Sequence, residues 1–180
     1  MTHIKFPFDT NKALQAVLWL LHRNNGAMDK LTLVKMMFFA DREHLVKYGR
    51  PVIGGTYYTM EHGPVSSELL DLINSIKNSG NKIPLKLSDH NIKATDSPNA
   101  NFLSESDVTI LDNIYQAYGH LDGFKLRDIT HELKAYKKNT PPQGSRSELP
   151  YEDFFEDYPE NERGMLNVIL DEQEAWADFI

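Results

Sequence analysis

The stretch Met28–Pro51, MDKLTLVKMMFFADREHLVKYGRP, decides how this chain is read. Its apolar helical pattern gives way to acid, base, acid and imidazole with no Gly or Pro between. Asp29 places an acid in the first turn and Gly49 followed by Pro51 stops the pattern, so a helix from about Asp29 to Lys47 is expected. At about 100° per residue, with Leu31 set at zero, Val34, Met37, Phe38, Leu45 and Tyr48 fall between about 240° and about 340°. Asp41 falls at about 280°, inside that arc, while Arg42 sits at its edge and Glu43 and Lys47 outside it. A buried carboxylate needs partners, because stranding one costs several kcal/mol or keeps it protonated. The candidates are Arg50, His62 and the hydroxyls of Tyr57 and Tyr58.

Three readings of Asp41 compete. It can be a structural pin tying the helix to the segment behind it. It can be a metal ligand with His44 at i+3 and His62, or half of an acid–base pair with His62. The pin is preferred, because buried polar groups are normally hydrogen-bonded and no nucleophile-bearing motif accompanies the carboxylate. No catalytic residue, metal ligand or cofactor is therefore assigned.

Working outward, Asp9 fits as the N-cap of a helix over about Thr10–Arg23 that buries Ala13, Leu14, Val17, Leu18 and Leu21. Behind the central stretch, Pro51–Met60 is rich in strand formers broken by Gly54-Gly55, as in a short hairpin or bulged strand. His62-Gly63-Pro64 ends that piece and turns into a helix over about Ser66–Asn78. Ile83–Leu87 and Ile92–Thr95 flank a turn at Ser88–Asn91 as a second hairpin. Ser104 and Asp107 come close to a capping box for a helix ending near Gly119, and a further helix is expected over Gly123–Lys138. Thr140–Ser147 reads as an exposed loop, and Asn161–Phe179 as a last amphipathic helix. The fold class is mainly α (α+β): a compact helical domain of about six to seven helices with a small antiparallel sheet or hairpin insertion. Residues 1–147 are taken as the core, and residues 148–180 as an acidic segment packing on or extending it.

The absence of Cys removes disulfides, thiolate zinc sites and cysteine nucleophiles. The apolar run Ala16–Leu21 is too short to cross a bilayer, and no basic region feeds an apolar signal core, so a cytoplasmic protein without membrane contact is expected. The net charge of −7 is unevenly spread. Met1–Ser147 holds 18 Lys/Arg against 15 Asp/Glu, whereas Glu148–Ile180 holds 11 carboxylates against Arg163 alone. That tail repels nucleic acid and attracts a basic partner. Phosphate-loop, dinucleotide, zincin and hydrolase signatures are all missing.

The two helices meeting at Gly119–Gly123 resemble a helix-turn-helix, and the second carries Lys125, Arg127, Lys134, Lys137 and Lys138 against Asp128 and Glu132. A DNA-binding regulator using helix 123–138 is thus the alternative function. Scattered basic residues and an acidic whole count against it, and αα-hairpins are common packing units. A metal- or acid/base-dependent enzyme around Asp41 and His62 is a third reading.

Asp29-Lys30-Leu31, Ala40-Asp41-Arg42, Tyr48-Gly49-Arg50-Pro51, the Gly54–Tyr58 segment with Tyr57, and His62-Gly63-Pro64-Val65 together resemble the core motif of the Panacea domain. This is the SocA-like antitoxin domain of bacterial and phage toxin–antitoxin systems. Leu103-Ser104-Glu105 and Leu126–His131 also fit, so the likeness runs from about Ala13 to Tyr158. It implies a non-enzymatic antitoxin of a type II-like system that binds and neutralises a cognate protein toxin. Delivery of the toxin to a cytoplasmic protease is a second mode it implies. Asp29, Lys30, Asp41, Arg42, Gly49, Arg50, Pro51, Tyr57, His62, Gly63 and Pro64 are then the motif's structural core.

Toxin contact is expected from Tyr151, Glu152, Asp153, Phe154, Phe155, Glu156, Asp157 and Trp176. Aromatics would anchor and carboxylates would steer onto a basic face that binds nucleotide or RNA. The rival expectation is that Phe154, Phe155 and Trp176 simply cover the core while the acids stay solvated.

Overall fold

Asp9 accepts a hydrogen bond from Lys12 N at 3.0 Å and opens α1 (Thr10–Arg23), whose Ala13, Ala16, Val17, Leu20 and Leu21 are buried. The computed structural model, which describes residues 3–179, carries on into β1 (Ala27–Asp29) and α2 (Lys30–Tyr48). Asp29 caps α2 through Thr32 N at 2.9 Å, and Gly49 closes it in the left-handed region at φ 80°. α2 is the axis of the molecule: every residue from Thr32 to Asp41 is buried, so that part is wrapped on all sides, and toward its end Lys47 and Tyr48 are exposed.

Around it lie β2 (Tyr57–Met60), β3 (Gly63–Ser66), α3 (Ser67–Ser75) with a 3-10 turn at Ile76–Asn78, β4 (Leu85–Ser88) and β5 (Asn91–Ala94). There follow α4 (Glu105–Tyr118), α5 (Gly123–Glu132), α6 (Lys134–Lys138), β6 (Ser147–Glu148), a 3-10 segment Tyr151–Phe155 and α7 (Gly164–Ala177). The strands form two antiparallel sheets ordered β1-β5-β4 and β3-β2-β6. The fold is mainly helical and α+β, with seven α-helices among the described residues.

Four local expectations change. Pro51–Thr56 is a loop and not a strand: Gly54 and Gly55 have φ 75° and 93°, and the amides of Ile53 and Gly54 are taken by Asp41. His62-Gly63-Pro64 does not end the hairpin; Gly63 and Pro64 belong to edge strand β3, where a missing N–H is tolerated. The helix expected over Gly123–Lys138 breaks at Leu133, which is extended at φ −66°, ψ 138°. The break frees the amides of Lys134 and Ala135 to donate to Asp157 at 2.8 and 3.4 Å. Finally, the closing helix is shorter than Asn161–Phe179, and Glu160–Glu162 forms a separate 3-10 turn.

Candidate functional site

Asp41 is fully buried in the middle of α2 and accepts from Ile53 N at 2.9 Å, Gly54 N at 3.2 Å and Tyr57 Oη at 2.9 Å. Burial pushes its carboxyl up to about 7, against the pull of these donors. Of its four expected partners, only the Tyr57 hydroxyl reaches it. His62 is exposed, Tyr58 lies under the guanidinium of Arg146, and Arg50 turns to Asp107.

Asp107 is the second pin. It receives Lys12 Nζ at 2.8 Å, Arg50 Nη1 at 3.0 Å and Ser104 N at 2.8 Å, joining α1, the end of α2 and α4. Burial alone would raise its carboxyl, but these bonds outweigh it and hold it below the usual carboxylate range. His44 donates from Nδ1 to Arg50 O at 2.6 Å, and its Nε2 lies 2.9 Å from Ser106 Oγ and 3.3 Å from Asp107 Oδ1. Burial lowers the proton affinity of the ring. Asp41, His44 and His62 are thus committed to different partners or to solvent. Among the described residues no group of three or more His, Asp or Glu could hold a metal ion.

At the other end of α2 a groove of about 630 Å³ opens between the start of that helix, the β2–β3 hairpin and the start of α5. Leu31, Val34, Met60, Val65, Leu70 and Phe124 make its apolar wall. At its base sits Lys35, 2% exposed, with Nζ donating to Pro64 O at 2.8 Å. Burial lowers Lys35 to about 7. Gly63, at φ 94°, leaves the room this requires: a Cβ there would press on Thr130 Oγ1 and come within 3.1 Å of Lys35 Cε.

A family model described as antitoxin SocA-like, Panacea domain, matches residues 33–137. The chain belongs to this family. Comparison with curated proteins and with solved structures gives no match. The matched part of this Panacea domain runs from the first turns of α2 into α6 and so contains Lys35, Asp41, Asp107 and most of the groove. α1, the Tyr151–Phe155 segment and α7 lie outside it.

The residues expected to form the motif's core serve several places. Asp29 caps α2 and Lys30 donates to Asn74 Oδ1 at 2.7 Å. Asp41, Tyr57, Gly49, Arg50 and the buried Pro51 surround the two pins. His62, Gly63 and Pro64 build the groove wall and Lys35's acceptor. Arg42 lies 4.9 Å from the centre of the Tyr158 ring.

The toxin-contact residues expected in the tail are mostly spent on contacts within the chain. Tyr151, Phe154 and Phe155 are buried, with Tyr151 Oη donating to Gly55 O at 2.6 Å and Phe154 packed edge-on against Phe38 and Tyr57. Glu152 accepts Ile4 N, Asp153 accepts Lys138 Nζ and Asn139 Nδ2, Glu156 accepts Lys138 Nζ, and Asp157 caps α6. Glu152, Glu156 and Asp157 are half-buried, and of the eight only Trp176 is exposed, at 72%.

The basic helix of the alternative reading fares similarly. It is two helices, and Arg127, Lys137 and Lys138 are paired with Asp128, Glu132 and Asp153. Sequence reasoning passed over Lys35 altogether. The available signal was its place three residues before Phe38 and four after Leu31, next to the apolar arc.

Proposed function

We propose that this chain is the antitoxin of a type II-like pair and neutralises a cognate protein toxin by docking the distal half of α7 on a basic toxin surface, such as one that holds nucleotide or RNA. One observation carries this reading. Trp176 and Phe179 are 72% and 88% exposed, beside Asp171, Glu172, Glu174 and Asp178, in a stretch from Gly164 to Phe179 that contains no Lys or Arg. None of those four carboxylates is ion-paired among the described residues, and all are exposed. Large aromatics supply anchoring area and free carboxylates steer a basic partner, whereas a helix serving only the core would hide its tryptophan. The root of α7 is held separately, through the buried Ile169.

Co-expression with the products of neighbouring genes tests the reading. A neighbour that is lethal alone and tolerated beside this chain is expected. A chain stopped after Asp171 keeps Ile169 and should stay folded yet lose protection. Harmless neighbours would end the antitoxin reading; full protection by the folded, shortened chain would end the role given to α7.

A further inference from the structure

The groove beside α2 is unusual in its chemistry. Its wall is largely apolar, and Phe124, part of it, is 62% exposed with the Arg127 guanidinium 5.2 Å from the centre of its ring. Into that wall is set the ammonium of Lys35, which has three protons to donate and one acceptor, the carbonyl of Pro64. That carbonyl is the polar contact of Nζ among the described residues, and burial lowers the proton affinity of the amine. Of the acids that line the groove, Asp29 caps α2, Asp122 caps α5 through Lys125 N at 2.9 Å, and Glu61 is exposed and makes no ion pair with Lys35. Tying α2 to an edge carbonyl requires only a neutral donor at this position, so the fold alone does not call for a cation in an apolar wall.

We propose that this groove receives an apolar segment of the protein partner that bears a carboxylate, and that Lys35 is its counter-ion. Apolar side chains would fill the space lined by Leu31, Val34 and Leu70, while the carboxylate accepts the protons that Pro64 leaves unused. The water-poor wall makes such a charge-assisted bond stronger than one at the surface, and it discriminates against the uncharged amide. The identity of the partner rests on the antitoxin reading; the chemistry of the ligand rests on the groove alone.

Two measurements test this. The first uses the chain by itself: a nitrogen–proton NMR titration with N-acetyl-leucine and with its primary amide, probes that differ only in the carboxylate. N-acetyl-leucine should shift the amides of Gly63, Val65 and Gly123 and bind about tenfold tighter than the amide, a preference that vanishes in Lys35→Met. Equal binding of the two probes, or no shift from either up to its solubility limit, overturns the proposal.

The second uses the toxin found by co-expression. Lys35→Met and, as the variant that leaves the interior untouched, Phe124→Glu should each weaken binding about tenfold or more while the chain stays folded. Undiminished binding by folded Phe124→Glu overturns the proposal. If no neighbour's product binds the wild-type chain, the antitoxin reading falls and the first measurement alone decides the groove.

Discussion

The hydroxyl of Tyr57 donates to Asp41 at 2.9 Å across 16 residues of chain, so the start of β2 is fastened to the middle of α2 inside the core. The same carboxylate holds the amides of Ile53 and Gly54, and one side chain thereby shapes the whole loop between helix and hairpin. Asp41→Ala leaves three buried donors without an acceptor and should cost roughly 3 kcal/mol or more. Urea unfolding would show it, and loss of protection should follow loss of fold. A stable Asp41→Ala chain that no longer protects cells would instead place Asp41 at the partner.

Lys35 and Asp41 make stability depend on pH in opposite senses. Burial takes Lys35 from 10.5 down to about 7, so between those values the unfolded chain holds a proton that the folded one lacks, and stability rises with pH. Burial takes Asp41 from 3.8 up to about 7, so in that window the folded chain holds the extra proton and stability falls as pH rises. A minimum near neutrality is expected in unfolding free energies measured from about pH 5 to about pH 10. Lys35→Met should flatten the alkaline limb and raise stability at the minimum. A Lys35→Met curve parallel to wild type above pH 7 would contradict this.

Asp107 behaves the other way from Asp41. Its carboxyl is held below 3.8 by Lys12, Ser104 and Arg50, so its contribution is present above that value and is lost as pH falls through the folded one. Asp107→Ala strands Lys12 and the cap of α4 and should cost roughly 3 kcal/mol in a denaturant titration at neutral pH. A cost under about 1 kcal/mol would mean that the cluster is solvated in solution.

Gly63→Ala tests the wall of the groove. The residue sits at φ 94° with Thr130 and Lys35 pressed against it, so the added methyl should destabilise by roughly 1–3 kcal/mol. It should also move the NMR signals of Thr130 and Lys35. An unchanged melting temperature would show that the hairpin tip can give way.

Phe154→Ala and Trp176→Ala separate the two parts of the tail. Phe154 is buried between Phe38 and Tyr57, and its truncation should cost roughly 3–5 kcal/mol. Trp176 is exposed, so its loss should leave the melting temperature alone and weaken toxin binding in calorimetry. Equal destabilisation by both would return Trp176 to the core.

Much of the frame is legible because it rests on local chemistry. Asp9, Asp29 and the pair Ser104–Asp107 cap helices through donors three residues away, and Gly49 ends α2 at positive φ. The inward aim of Asp41 follows from helical period alone. What stayed hidden depends on distant partners. The break at Leu133 is held by Asp157, 23 residues beyond Lys134. The alternating acids and aromatics of Tyr151–Tyr158 read alike whether the acids are solvated or, as at Asp153, bound to Lys138. The burial of Lys35 depends on the elements that wrap the first part of α2.

α2 also fixes a length. From Lys35 at the groove to Gly49, where Met165 anchors the root of α7, it rises roughly 20 Å at about 1.5 Å per residue. A helix buried at every residue from Thr32 to Asp41 does not bend or stretch to suit a visitor. A partner gripping both ends would gain the avidity of two modest attachments made at one set spacing, and a partner of the wrong span would have to forgo one of them.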